Sequence, residues 1–238
     1  WEGREASVAL RGADGLAFFV NGKSDGHALH DAPTQVFLGL VGPMLHPDPR
    51  RAFVVGLGTG STAGWLGKVE SIEEVVVAEL EPAILQVAAA CAPVNAGVLD
   101  NERVDIVIGD GREVLSTAPG QFDVIVSEPS HPYRAGIASL FTADFYGLVD
   151  EKLAEDGLFL QWVQGYGVDG PTVQTIYATL RQVFPYVETW ELARGADLVL
   201  VASREPIVHD LGRVRQRASE QPYAEALNPQ QLESVTTL

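Results

Sequence analysis

Cysteine is nearly absent: Cys91 is the only one in 238 residues. That excludes an internal disulfide framework and any multi-cysteine metal site, and it is compatible with a reducing compartment. Within Ala88-Ala89-Ala90-Cys91-Ala92 the thiol reads as helix packing rather than as a nucleophile. Basic residues are scarce, 16 against 32 acidic ones, for a formal net charge of -16. Such a surface repels nucleic acid and anionic membranes and favours the approach of a cation. Nor is there an apolar run near the ~20 residues that a membrane helix needs, or a signal-peptide layout, so a water-soluble domain is expected.

What is present is a hydrophobic fraction of 46%, enough for one well-buried α/β core but not for two full domains. Short apolar runs at Ser7 to Leu10 and Leu16 to Val20 flank Gly12-Ala13-Asp14-Gly15, and Asn21-Gly22 follows as a hairpin turn. Pro33 to Leu45 has apolar residues at helical spacing, with Asp31 placed as an N-cap. Strand and helix signals then alternate. The strands are Ala52 to Val55, Glu74 to Ala78, Val104 to Ile108, Phe122 to Val126 and Leu158 to Trp162. Helices are expected from Ser61, Pro82, Arg112 and Ala143. This alternation specifies a parallel sheet covered on both faces. A helix over Thr172 to Val183 and strands at Val187 to Leu192 and Asp197 to Ala202 would close it with an antiparallel hairpin.

The expected fold class is therefore α/β, a Rossmann-like sheet of the methyltransferase type, mostly parallel with a late antiparallel hairpin, preceded by a small N-terminal β-hairpin domain. The expected divisions are residues 1–48 for the β appendage and linking helix, 49–206 for the nucleoside-binding domain and 207–238 for a C-terminal helix and tail.

Candidate chemistry falls at the carboxyl ends of successive strands, where open α/β sheets bind ligands. Gly56-Leu57-Gly58-Thr59-Gly60 follows an apolar strand and opens a helix, so Gly56, Gly58 and Gly60 allow a tight turn and close approach of backbone to ligand. The next strand ends in Glu79-Leu80-Glu81, 23 residues on (79 minus 56), about the spacing at which an acid meets a ribose hydroxyl pair. The third ends in Gly109-Asp110-Gly111, where small neighbours leave room for a flat ring and Asp110 is placed to accept from an exocyclic amine or to cap the following helix. The fourth ends in Ser127-Glu128-Pro129-Ser130-His131-Pro132-Tyr133. Its prolines stiffen the loop, Glu128 is the candidate proton acceptor and His131 a candidate assistant or a loop hydrogen-bonding residue.

Together with Phe19-Val20-Asn21-Gly22-Lys23, Asp31-Ala32-Pro33-Thr34-Gln35 and Ala138 to Tyr146, these segments resemble the spermidine synthase (polyamine aminopropyltransferase) family over about Leu16 to Ala202. The likeness is greatest to the branch whose synthase-like domain is attached to membrane helices. The resemblance implies decarboxylated S-adenosylmethionine, or S-adenosylmethionine, as co-substrate, a polyamine-like amine as acceptor, and no metal. It implies that Gly56, Gly58 and Gly60 line the methionine-derived part of the donor, that Glu79 and Leu80 sit at the ribose, and that Asp110 and Gly111 face the adenine.

On the acceptor side the family pattern has two aspartates after the fourth strand, matched here by Glu128 and His131. Its Tyr-His pair falls on Gln35-Val36. Gln35, Ser130, Tyr133, Gln164 and Tyr166 are assigned to that side. A homodimer is compatible with the resemblance; so is an attached membrane segment beyond this sequence, since a chain that starts at Trp1 without an initiator methionine is expected to be part of something longer. The expected location is the cytoplasm or the cytoplasmic face of a membrane. Open alternatives are methyl transfer from, or cleavage or cyclisation of, an intact donor, and a non-catalytic nucleoside sensor.

Overall fold

The computed structural model describes residues 1–12, 16–130, 132–133, 136–165, 168–192 and 197–227. Three short strands, β1 (Val8–Arg11), β2 (Ala17–Val20) and β3 (Lys23–His27), form an antiparallel sheet in that order. The turn between β2 and β3 has Asn21 at φ 51° and Gly22 at φ 76°, the left-handed pair that matches the twist of a tight hairpin. The hairpin expected from Asn21-Gly22 is thus present. It gains a third strand, Lys-Ser-Asp-Gly-His, that no apolar pattern announces.

Helix α1 (Ala32–Leu45) links this sheet to a seven-stranded one. The strands of the large sheet are β4 (Arg51–Val55), β5 (Glu74–Glu79), β6 (Val104–Ile108), β7 (Phe122–Ser127), β8 (Leu153–Gln164), β9 (Tyr186–Glu191) and β10 (Asp197–Ser203). Their spatial order is β6-β5-β4-β7-β8-β10-β9, parallel from β6 through β8 and antiparallel at β10 and β9. The order reverses between β4 and β7, which opens a crevice at their carboxyl ends. This is the mostly parallel sheet with a late antiparallel hairpin that the sequence predicts.

Alternation along each strand assigns the two faces. Ala52 and Val54 of β4 join Val75, Val77, Val124 and Val126 in a core under α1, α2 (Ser61–Gly67) and α3 (Ile84–Ala90). Phe53 and Val55 point the other way, into a core with Phe122, Ile125 and Phe159 that is covered by α4 (Gly111–Thr117), α5 (Ala143–Lys152) and α6 (Gly170–Leu180). Strands buried on both faces carry almost continuous apolar runs, the reason they were legible. Cys91 is wholly buried beside α3 and its thiol pKa is pushed up to about 11 by burial, in keeping with packing. No helix among the described residues is long and apolar enough to cross a membrane.

After β10 come α7 (Leu211–Ala218) and α8 (Tyr223–Ala226). Arg213 and Arg217 of α7 donate to the carbonyls of Leu45 and His46 at 2.7 and 2.6 Å, satisfying acceptors that the end of α1 leaves open. At the other end of α1, Asp31 occupies the N-cap position without capping. Its Oδ2 instead accepts from His27 N at 2.7 Å, because the preceding turn from β3 folds back onto it.

Helix α1 crosses α2 closely at Gly39. A Cβ there would lie 2.5 Å from the Thr62 carbonyl oxygen, a backbone atom that cannot step aside. Replacing glycine by alanine inside a helix ordinarily gains roughly 1 kcal/mol. At Gly39 the sign is predicted to reverse: Gly39→Ala should lower stability by about 1–3 kcal/mol, the scale of overpacking, as read by denaturant unfolding. A gain would refute the close crossing.

Candidate active site

The carboxyl ends of β4 to β7, the β2–β3 hairpin and the start of α1 surround a cavity of about 810 Å³. Its floor is the turn after β4. Gly56, Gly58 and Gly60 have φ of 96°, 53° and 85°, backbone conformations that side chains strongly disfavour. Glu79, at the end of β5 and 8% exposed, braces this turn: Oε2 accepts from Leu57 N at 2.9 Å and Oε1 from Glu81 N at 2.8 Å. Burial raises its pKa, while these backbone donors act the other way. Each carboxylate oxygen keeps a second lone pair, so bracing and ligand contact are compatible.

Glu81 ties the N-terminal segment down. Its Oε2 accepts from Glu5 N and Ala6 N at 2.7 and 3.0 Å, and its Oε1 from Ala83 N at 2.8 Å. Desolvation would raise its pKa, but the backbone donors outweigh it and the net shift is downward. Asp110 caps α4 through Arg112 N at 2.9 Å and pairs with the Arg112 guanidinium at 2.7 Å, which holds its carboxyl below the usual range. The helix-cap role is therefore realised. Asp110 also lines the cavity, as do Gly111 and the half-exposed Leu80.

Glu128 follows β7 directly. Its backbone N–H donates to Val55 O at 3.2 Å, and its carbonyl oxygen would stand 3.4 Å from a Cβ on Gly56, so the two strand ends are held edge to edge. Thr62 Oγ1, from the first turn of α2, donates to Glu128 Oε2 at 2.6 Å. Burial pushes the Glu128 pKa up to about 7. The Thr62 hydrogen bond opposes that rise, and the charges of Asp31 and Asp197 add to it. A carboxyl titrating near neutrality is suited to taking a proton and returning it.

Gln35 of α1 is buried and accepts from Thr59 Oγ1 at 2.6 Å, joining α1 to the glycine turn. Ser130 and Gln164 line the cavity with it. Tyr133, assigned to the same side from sequence, is 61% exposed and is not among the described residues of the cavity wall. His131 and Tyr166 lie outside the described residues. Sequence reasoning missed Glu81, Thr59 and Thr62, the pocket role of Asp31, and Asp197. Asp197 heads a strand and reaches the cavity only because β10 runs antiparallel beside β8.

At the amino ends of the strands, His46, Asp123 and Asp156 bring ligand-type atoms within 4.8 Å of one another. The arrangement does not suit a metal. His46 Nδ1 accepts from Asp48 N at 3.2 Å, so the ring proton sits on Nε2, the nitrogen that faces Asp156 at 3.4 Å. Asp123 Oδ2 already accepts from Arg50 N and Arg51 N.

A seven-stranded sheet of this order, with a glycine turn and acids at successive strand ends, defines an α/β domain of the methyltransferase fold type. Its overall structure is similar to that of human methyltransferase-like protein 13 in complex with SAH (TM-score 0.60, 20% identity, covering 88% of this chain and 92% of that one). The likeness is greater to a spermidine synthase in complex with the transition-state analogue AdoDATO (TM-score 0.81, 23% identity, 98% and 82%) and to spermidine synthase from Thermotoga maritima (TM-score 0.78, 23% identity, 98% and 84%).

Residues 34–192 match the spermine/spermidine synthase domain, and the chain belongs to that family. Among curated relatives, polyamine aminopropyltransferase of Nitrosomonas europaea is 34% identical over 164 residues, covering 64% of this chain and 50% of the relative. That of Thermoanaerobacter sp. (strain X514) is 29% identical over 145 residues, covering 61% and 52%. The chain thus spans about half the length of these relatives.

The Glu128 environment has a measurable consequence. Its carboxyl should titrate near 7 by carbon-detected NMR, and Thr62→Val, which removes a bond favouring the charged form, should move the midpoint higher. Because the folded pKa lies above the ordinary 4.5, this group favours the fold below about pH 4.5, and that contribution is lost as pH rises through 7. Glu128→Gln should therefore gain stability relative to the parent over that window. An unchanged midpoint in Thr62→Val would contradict the assigned contact.

Proposed function

We propose that this domain binds decarboxylated S-adenosylmethionine and transfers its aminopropyl group to an amine acceptor, releasing methylthioadenosine. The observation that carries the reading is Glu128: a partly buried carboxyl with a pKa of about 7, fixed by Thr62 and set against the glycine turn. In this reading Gly56, Gly58 and Gly60 receive the sulfonium-bearing part, Glu79 and Leu80 the ribose, and Asp110 and Gly111 the adenine.

The acceptor arrives as an ammonium, whose pKa, like that of a lysine, is about 10.4. Glu128, as carboxylate, takes one proton and frees the nitrogen lone pair. The nitrogen attacks the methylene carbon beside the sulfonium. The carbon–sulfur bond breaks, its electron pair stays on sulfur, and the neutral thioether leaves. The new secondary ammonium keeps the positive charge, and Glu128 passes its proton to solvent. A sulfonium is already a good leaving group, so the protein contributes mainly alignment, worth roughly 7–11 kcal/mol in the best cases.

Charge distinguishes this reading from use of the intact donor. Among the described residues, the cavity wall carries eight carboxyl side chains, Glu5 and Asp25 among them, and two basic ones, Lys23 and Arg112. Arg112 is already paired with Asp110. Such a wall suits two cationic substrates and opposes the additional carboxylate of S-adenosylmethionine.

Glu128→Gln keeps the size of the side chain and its capacity to accept from Thr62, but not its ability to take a proton. Donor binding measured by calorimetry should survive within a few-fold, while turnover with saturating amine should fall about 100-fold or more. Full turnover in the variant would remove Glu128 from the mechanism. Donor binding without turnover by the parent, over a panel of amines, would instead support a nucleoside sensor.

A further inference from the structure

Residues 1–7 precede β1 and fold back on themselves as a short turn. Gly3 N donates to Ala6 O at 2.9 Å, Glu2 and Ser7 form an antiparallel bridge, and Ser7 Oγ donates to Glu2 Oε2 at 2.9 Å. One end of the turn is fixed to the β2–β3 hairpin, where Ser7 N donates to Asn21 Oδ1 at 3.0 Å and Asn21 N to Ser7 O at 2.9 Å. The other end meets the large sheet. There Glu5 N and Ala6 N, at 2.7 and 3.0 Å, converge on Glu81 Oε2, and the Arg4 N–H acts on the same carboxylate. Among the described residues, the hydrogen bonds from residues 1–6 to the large-sheet half of the molecule all end on Glu81.

Consecutive N–H groups around one anion form a nest, and hydrogen bonds to an ionised acceptor are roughly twice as strong as neutral ones. Glu81 stays ionised through the neutral range because these donors hold its carboxyl below the ordinary value. Gly3 shows how closely the two parts fit. A Cβ there would collide with the carboxylate carbon and both oxygens of Glu81, so a side chain at this position would push the carboxylate aside.

The turn closes one particular part of the cavity. Glu5 and Ala6 line it together with Leu80, Glu81 and Ile84, at the end of β5 and the start of α3. Glu79, two residues before Glu81, is the acid that the proposed function sets at the ribose. A segment anchored at one end and held by a single side chain at the other can swing open without disturbing the sheet.

We propose that residues 1–6 are a strap across the nucleoside half of the cavity and that Glu81 is the positioning residue that latches it, so that unlatching gates entry and release of the nucleoside. This rests on the amine-transfer reading for the identity of that nucleoside and adds a step to it: methylthioadenosine leaves past the strap.

The test is stopped-flow binding of methylthioadenosine to the parent and to two variants. Glu81→Gln keeps an oxygen for Ala83 N but turns an amide NH2 toward Glu5 N and Ala6 N. Gly3→Ala keeps Glu81 and displaces its carboxylate by contact. In a gated site the open fraction scales association and dissociation alike, and that fraction is commonly about a tenth or less. Each variant should therefore raise both rate constants about 10-fold, with the dissociation constant changed less than about threefold. Amide exchange at Glu5 and Ala6 should quicken in step. A loss of fold stability alone would not speed association, and if one variant does not fold the other gives the same readout. Rate constants unchanged in both, or a rise in dissociation alone, overturn the latch and leave the nucleoside reading standing. A parent that binds no methylthioadenosine overturns both. Faster entry and release in the variants, without transfer from any donor, would leave the strap standing and remove the transfer reaction.

Discussion

The carboxylate of Glu79 is the tie on which the site depends. With one oxygen on Leu57 N and the other on Glu81 N, it fixes the glycine turn against the end of β5. The turn in turn aims α2. From that helix start, Thr59 reaches Gln35 and Thr62 reaches Glu128, so α1, α2 and β7 are registered through two hydroxyls. Close packing at Gly39 keeps those hydroxyls at hydrogen-bonding distance. The places proposed for the donor and for the proton acceptor are thus parts of one hydrogen-bonded frame.

That frame gathers acids at the cost of their ionisation. Glu128 and Asp31 are both raised, first by burial and then by neighbouring negative charge, whereas Asp110 is lowered because it has Arg112 as partner. The division is spatial. Acids near the glycine turn are satisfied by backbone N–H groups or by an arginine. Those toward α1 and β10 have few partners, and their electrostatics favour a ligand that brings positive charge. The overall excess of acidic residues, 32 against 16, has its local counterpart here.

Legibility in the sequence followed burial. Strands β4, β5 and β7 are buried on both faces and read as almost continuous apolar runs, and their ends therefore located Gly56, Glu79 and Glu128. Strand β3 has no such run. The first half of β8, Ala154-Glu155-Asp156-Gly157, is polar enough to read as a loop, so the strand was expected to begin at Leu158. Asp31 looked like a helix cap because position alone cannot tell which backbone N–H a carboxylate will accept from. Asp197 was beyond reach for another reason: its meeting with Gln164 depends on antiparallel register, a long-range property that local pattern does not contain.

The central claim is that a cationic acceptor displaces a thioether from a decarboxylated donor in this cavity. Its most direct measurement is the identity of the nucleoside released when the protein is incubated with a diamine and either donor, resolved by mass spectrometry. The account predicts methylthioadenosine from decarboxylated S-adenosylmethionine, in step with an acceptor heavier by one aminopropyl group. Adenosylhomocysteine formed from intact S-adenosylmethionine, with the decarboxylated donor left untouched, would contradict it.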